Sequence, residues 1–354
     1  MGSYDPEALR RTYTALAEGD TRMRAIRSAC TEAEQAGDLR TALLFHHDLI
    51  RESVFTGDRL QALVDFPQYL SIYRSDPAFE DCSYEMLWLF KWVVEAAVEF
   101  PQIEKKQVLT WFSEFRRELI RHGWSCKPFY EKRAIFLSYY DRASMMLDYE
   151  DFLNAPRDAL SDGVADEYDT IVRWELEIGS REKAMEAAEH IFREQLLSEE
   201  IPATTFGYLL ADAMRRGDAP AAEQYAAKLR PLCTGKRMRT EQIGLLLLYD
   251  AAADPGRGLS YYAAHTEMRA ASRNPFLSFW FDRGASALLS AAAKAGLTLH
   301  RTGKPETPPD ALAAEAARLR ASAQALAERF DERNGSAFFS AALSAADSGS
   351  SQEV

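Results

Sequence analysis

The sequence predicts an all-α protein in which antiparallel helical hairpins stack side by side as a right-handed α-solenoid. Nearly every segment of the 354 residues places apolar side chains at helical spacing, and no stretch shows the two-residue alternation of a β-strand. A glycine-anchored turn also recurs three times, at Gly37, Gly179 and Gly217. Such recurrence is typical of repeat arrays, in which each unit buries its apolar face only against its neighbours.

Each of these glycines begins a motif of fixed spacing. The next residue carries a short side-chain oxygen, which suits the N-cap of a helix. A small residue stands five positions after the glycine, where two helices cross closely, and an aliphatic residue stands twelve positions after it. The residues at the three positions are Asp38, Ser180 and Asp218, then Ala42, Ala184 and Ala222, and finally Leu49, Ile191 and Leu229.

At this spacing the sequence resembles the tetratricopeptide repeat family, whose units are 34 residues long. The large residue of the family's first helix falls on Ile26, Tyr168 and Phe206. The match covers 21–54 and 164–232, and the rest of the chain departs from the pattern. The resemblance implies a superhelix whose concave face binds a peptide or a protein segment, as in scaffolds, adaptors and peptide-responsive bacterial regulators.

The repeat array is predicted to occupy residues 1–300. Within it, the section 84–152 is irregular and rich in aromatic residues, which either fill a wide space between helices or line a groove. The stretch 301–310, RTGKPETPPD, is typical of a linker. Residues 311–346 are predicted to form capping helices, and 347–354 a disordered tail.

Composition argues against several classes of function. The formal net charge of −12 disfavours nonspecific binding to nucleic acid or to an anionic membrane. The most apolar window, 87–100, is interrupted by Lys91 and Glu95 and is too short to cross a bilayer. The four cysteines and the histidines show no metal-binding spacing, and the N-terminus lacks the apolar run of a signal peptide. We therefore expect a cytoplasmic protein with no metal, cofactor, nucleic-acid or membrane partner.

A local excess of positive charge is the first candidate binding site. Arg117 and Arg121 are four residues apart on one helical face, and Lys132 and Arg133 lie early in a helix predicted over 128–147. In an antiparallel hairpin these cations converge, which predicts recognition of an acidic peptide, a chain-terminal carboxylate or a phosphate. We name the basic patch by its six residues, Arg117, Arg121, Trp124, Tyr130, Lys132 and Arg133. The alternative is a solvated surface whose cations pair with the acids of the same helices, Glu114, Glu118 and Glu131.

Two further surfaces are candidates for contact with a partner. By the family resemblance, Arg24 and Arg27 fall on first-helix positions that face the groove, and the alternative is simple solvation. The alanine-rich apolar faces within 276–346 predict either self-association into a homo-oligomer or an internal cap of the array.

An all-α enzyme is the competing class. Asp162, Asp166 and Asp169 are spaced to share one face around a helix start, as in enzymes that hold magnesium and a diphosphate. The alternative is a favourable interaction of these carboxylates with the helix dipole. The sequence has no second metal-binding motif and no phosphate-binding loop. We therefore predict a non-catalytic binding protein, with the enzyme as the alternative.

Overall fold

A computed structural model describes residues 4–301, 303 and 305–347 of the chain. These residues form seventeen α-helices, two short 3-10 segments and one isolated antiparallel bridge between Leu299 and Thr307. The predicted all-α class is confirmed. Within this described part, no helix combines the length and the apolar character needed to cross a membrane. The predicted tail, apart from Asp347, lies outside the described residues.

The chain divides into two units. The first unit consists of Met1–Leu137 and Ala143–Ser161, and the second of Ser138–Arg142 and Asp162–Val354. In the first unit, consecutive helices pack against each other from α2 to α7. The first eight helices are α1 (Pro6–Thr14), α2 (Asp20–Gln35), α3 (Leu39–Phe55), α4 (Arg59–Tyr73), α5 (Ser83–Val98), α6 (Lys105–Arg121), α7 (Lys127–Leu137) and α8 (Arg142–Asn154).

Aromatic rings fill the core of the first unit. Phe90 lies between Phe66 and Phe115, with ring centroids 5.0 and 5.5 Å away, and Phe112 stacks on Phe136 at 6.3 Å. All five rings are buried. Much of the aromatic excess of the irregular section therefore serves packing between helices.

The prediction of a single helix over 128–147 is wrong, because the chain breaks between α7 and α8. At the break, Tyr139 is buried against the rings of Phe276, Phe338 and Phe339 in the second unit, with centroids 5.0–6.1 Å apart. Apolar residues on both sides of the break continue the helical spacing. Burial of the tyrosine ring in an aromatic cluster outweighs that local preference.

The second unit contains the remaining nine described helices. Its largest helix–helix contacts join α13 to α15 and α15 to α16. Leu288, Leu289, Leu312 and Leu319, which belong to the alanine-rich faces of 276–346, are at most 4% exposed and form core. These helices are α9 (Val164–Ile178), α10 (Arg181–Arg193), α11 (Ala203–Arg215), α12 (Ala219–Cys233), α13 (Thr240–Ala253), α14 (Pro255–Ala271), α15 (Pro275–Lys294), α16 (Pro309–Asn334) and α17 (Phe338–Asp347).

The three glycine-anchored turns are present. Gly37, Gly179 and Gly217 have φ of 73°, 90° and 66°, the left-handed conformation that glycine adopts without steric cost. Asp38 and Asp218 accept a hydrogen bond from the third residue of the following helix, as predicted. Ser180 stands at the same position without such a bond. The alanines five residues after the glycines, Ala42, Ala184 and Ala222, are at most 3% exposed.

Helices α13 and α15 cross with their backbones in contact. A Cβ atom added to Gly244 would lie 2.3 Å from the Trp280 carbonyl oxygen, and one added to Gly284 would lie 1.9 Å from the Gly244 oxygen. Only glycine therefore fits at either position. This close crossing fixes the positions of α13 and α15 relative to each other.

Candidate binding cavity

The second unit contains a cavity of about 1070 Å³ that is partly open to solvent. Its wall is built from α9, α11, α13, α15 and α16, with the beginning of α12, both ends of α17 and Tyr139. A volume of this size slightly exceeds the usual range of about 300–1,000 Å³ for small-ligand sites.

Alanine accounts for much of the space in the cavity. Ala287 and Ala291 are four residues apart on α15, and Ala313 and Ala317 are four apart on α16. Residues at this spacing share a helix face, so each helix presents a stripe of methyl groups to the cavity. On α11, Gly207 adds a position with no side chain. Larger residues at these places would fill the cavity.

Positively charged residues outnumber negatively charged ones in the cavity wall. Among the described residues that line the cavity, five are cations and three are carboxylates. This local excess lies in a chain of net charge −12. The eight residues are Arg173, Arg215, Arg283, Lys294, Arg320, Glu177, Asp218 and Glu241.

Arg173 on α9 is balanced by its surroundings. Its guanidinium carbon lies 4.4 Å from the Trp174 ring centroid and 5.8 Å from that of Tyr208. Burial lowers the pKa of this guanidinium, but the nearby side chains of Tyr208, Tyr139 and Glu241 outweigh burial and raise it. Arg173 thus has a carboxylate neighbour in the cavity wall.

Arg283 on α15 has no such neighbour. Its Nε donates a hydrogen bond to the carbonyl oxygen of Ala342 at 2.8 Å, and its guanidinium lies 5.3 Å from the Trp280 ring centroid. Burial lowers the pKa of Arg283 to about 10, and no charged group offsets this effect. The side chain keeps some exposed surface because it faces the cavity. The cavity therefore contains a fixed guanidinium whose charge is not neutralised by the protein.

The cations of the basic patch are engaged by separate carboxylates. Arg121 pairs with Glu80 and, at 3.4 Å, with Glu118, while Lys132 lies 3.3 Å from both Glu95 and Glu131. Two of these four acids lie outside the α6–α7 hairpin, where no local sequence pattern reveals them.

The remaining members of the basic patch also have partners. Arg133 binds both oxygens of Asp148, at 2.6 and 2.5 Å, and its guanidinium lies 4.5 Å from the Phe129 ring centroid. Arg117 is mostly exposed and lies 3.7 Å from Glu114. The two aromatic members pack against rings of the first unit, Trp124 against Tyr84 and Tyr130 against Phe129. The cations of the patch thus pair partly with Glu114, Glu118 and Glu131, as in the alternative from sequence, and partly with Glu80, Glu95 and Asp148, which that alternative did not include.

The two arginines of α2 make polar contacts on the surface of the first unit. Arg24 donates to the Thr21 hydroxyl at 3.2 Å, and Arg27 lies 3.2 Å from Asp65. Neither arginine lies in the wall of the cavity.

The three aspartates of the enzyme alternative stand near the start of α9. Asp166 accepts a hydrogen bond from Ser198 at 2.8 Å, and buried Asp169 accepts one from Thr205 at 2.5 Å. Burial raises the pKa of Asp169 to about 7. Across the described chain, no group of three or more His, Cys, Asp or Glu side chains, Asp162 included, is arranged to hold a metal ion.

Sequence reasoning did not identify Arg283. The residue stands in the apolar segment FLSFWFDRGASALL of α15, directly after Asp282. Adjacent residues of a helix do not face each other, so the Asp–Arg sequence gives no local sign of how either charge is matched. In the structure Asp282 pairs with Arg269, and Arg283 faces the cavity. Comparisons with models of protein families, with curated protein sequences and with solved structures find no match for this chain.

Proposed function

We propose that this protein is a non-catalytic, tetratricopeptide-like solenoid that binds a peptide or a protein segment, as a scaffold, adaptor or regulatory sensor in the cytoplasm. The binding site in this proposal is the cavity of the second unit, and the basic patch has no part in it. The observation that carries the proposal is the cavity itself, whose wall combines alanine stripes with an excess of cations.

The chemistry of the wall supports a peptide as the ligand. Methyl groups of α15 and α16 leave room for an extended chain and offer apolar contact, while the charged groups supply a few directional interactions. Binding sites for segments of other proteins commonly combine an apolar groove with a small number of polar anchors.

A variant that fills the cavity tests the proposal. Ala291→Trp places an indole in the cavity, so we expect a polypeptide that co-purifies with the wild-type protein from native extract to be lost. Ala227→Trp is the matched control, because Ala227 is exposed on α12 and does not line the cavity. Far-UV circular dichroism checks that both variants fold. Equal capture by the two variants, or no captured polypeptide with the wild type, would contradict the proposal.

A further inference from the structure

We infer that the ligand of the cavity presents a carboxylate, which Arg283 binds with the outer nitrogens of its guanidinium. This inference rests on the proposed peptide-binding function and specifies its ligand. The carboxylate belongs either to the end of a peptide chain or to an Asp or Glu side chain of the bound segment.

Two other arginines of the second unit show how a carboxylate neutralises such a group in this protein. Arg269 donates to both oxygens of Asp282, at 2.8 and 2.7 Å, and Arg230 donates to both oxygens of Asp250, at 2.9 Å each. Both aspartates have no exposed surface. These two arginines are neutralised by two-point pairing with a buried carboxylate, and Arg283 has no such pairing.

The hydrogen bonds of Arg283 leave its outer nitrogens available. Nε is used by the Ala342 carbonyl, and within the described residues the two Nη atoms have no hydrogen-bond acceptor. Contact with the Trp280 ring and the bond to α17 fix the guanidinium in the cavity wall. A guanidinium held in this way presents parallel N–H donors that match the two oxygens of a carboxylate.

The energetics point in the same direction. Placing a cation away from water without a counter-charge is unfavourable, as the lowered pKa of Arg283 indicates. A ligand carboxylate removes this penalty on binding. A phosphate dianion calls for a second cation close to Arg283. Of the other cations of the wall, Arg173 has Glu241 nearby, Arg215 pairs with Asp212 and Arg320 donates to Gln324. Lys294 stands at the far end of α15, about 16 Å along the helix axis from Arg283 by the helical rise, so a single carboxylate is the better match.

Three random hexapeptide libraries test the inference by affinity selection on the immobilised full chain, with mass spectrometry as the readout. The first library has free C-terminal carboxylates and lacks Asp and Glu. The second is C-terminally amidated and contains Asp and Glu. The third is amidated and lacks both residues, so it carries no carboxylate. We expect the wild-type protein to enrich peptides from the first or the second library and not from the third, and the enriched library identifies the source of the carboxylate.

Substitutions at Arg283 provide the second measurement. For enriched peptides, Arg283→Met should raise the Kd at least about tenfold, as expected for a lost charge-assisted hydrogen bond. Arg283→Lys keeps a positive charge and should bind these peptides more tightly than Arg283→Met does. Arg193→Met, which removes an exposed cation of α10 outside the cavity, should leave Kd unchanged. Thermal unfolding checks that each variant is folded.

The outcomes separate the inference from the proposed function. Equal enrichment from the third library, or unchanged Kd in Arg283→Met, overturns the carboxylate and leaves peptide binding intact. If no library is enriched, Arg283→Met is tested on the polypeptide that co-purifies with the wild-type protein, and undiminished capture overturns the inference. If the wild type enriches no library and captures no polypeptide, both proposals fail.

Discussion

Arg269 and Asp282 form a two-point ion pair, with donor–acceptor distances of 2.8 and 2.7 Å and no exposed surface on the aspartate. Ser322 donates a third hydrogen bond to the same carboxylate at 2.8 Å. Arg283, which follows Asp282 directly in α15, has no carboxylate partner. We therefore expect that replacing Arg269 destabilises the protein and that replacing Arg283 does not.

Arg269→Met should strongly destabilise the protein. Removing the guanidinium leaves Asp282 buried without its cation, which typically costs about 3–5 kcal/mol in the free energy of unfolding. Urea denaturation followed by circular dichroism measures this change. Arg193→Met removes the same charge at the surface and should change the free energy of unfolding by less than about 0.5 kcal/mol. A loss below about 1 kcal/mol in Arg269→Met would contradict the assigned role of the pair.

Arg283→Met should leave the free energy of unfolding unchanged or raise it by about 1–2 kcal/mol. The substitution relieves the burial of an uncompensated cation and keeps apolar contact with Trp280, at the loss of one hydrogen bond to Ala342. The same urea experiment measures it. This result is expected of a residue that serves binding and lowers stability. If the free energy of unfolding instead fell by more than about 2 kcal/mol, Arg283 would be needed to hold α15 and α17 together.

Asp169 should make stability depend on pH. Burial raises its folded pKa to about 7 from an ordinary value of 3.8. Between these values the folded protein holds the proton and the unfolded chain releases it, so the free energy of unfolding falls as pH rises from about 4 to 7. The loss from this group is at most about 4 kcal/mol.

Asp169→Asn isolates this contribution, because asparagine does not titrate and still accepts a hydrogen bond from Thr205. Urea denaturation at a series of pH values should show that the wild type loses stability relative to the variant as pH rises. Parallel curves for the two proteins between pH 4 and 8 would rule out a buried, titrating carboxyl group.

Gly244→Ala should destabilise the crossing of α13 and α15. The new methyl group would lie 2.3 Å from the Trp280 oxygen, so the backbones must separate, and overpacking of this kind costs about 1–3 kcal/mol or more. Gly256→Ala on α14 is the matched control, since its Cβ would meet only the Asp254 side chain at 3.4 Å. Thermal unfolding should show a lower Tm for Gly244→Ala and little change for Gly256→Ala.

Local signals predicted the helices and their turns well. The left-handed conformation of the turn glycines Gly37, Gly179 and Gly217 depends only on residues near each turn. The same is true of the N-caps Asp38 and Asp218. The break between α7 and α8 was not predictable in this way, because it depends on the burial of Tyr139 against rings that lie far along the chain.

The candidate site was less predictable than the helices. Partners such as Glu95 for Lys132 come from helices distant in sequence, so a run of basic residues does not reveal whether its charges are already matched. Arg283 presents the opposite case, because the adjacent Asp282 pairs with Arg269 of another helix and leaves Arg283 without a carboxylate. Whether a charge is neutralised depends on tertiary packing, which spacing alone does not report.

The path of the chain through its two units limits how the protein can be divided for expression. Ser138–Arg142 belong to the second unit, although Ala143–Ser161 return to the first. A fragment that starts at Asp162 therefore lacks Tyr139, leaving a hole beside Phe276, Phe338 and Phe339 and an incomplete cavity. Ligand screening on such a truncated protein would use an altered site, so the intact chain is the appropriate material.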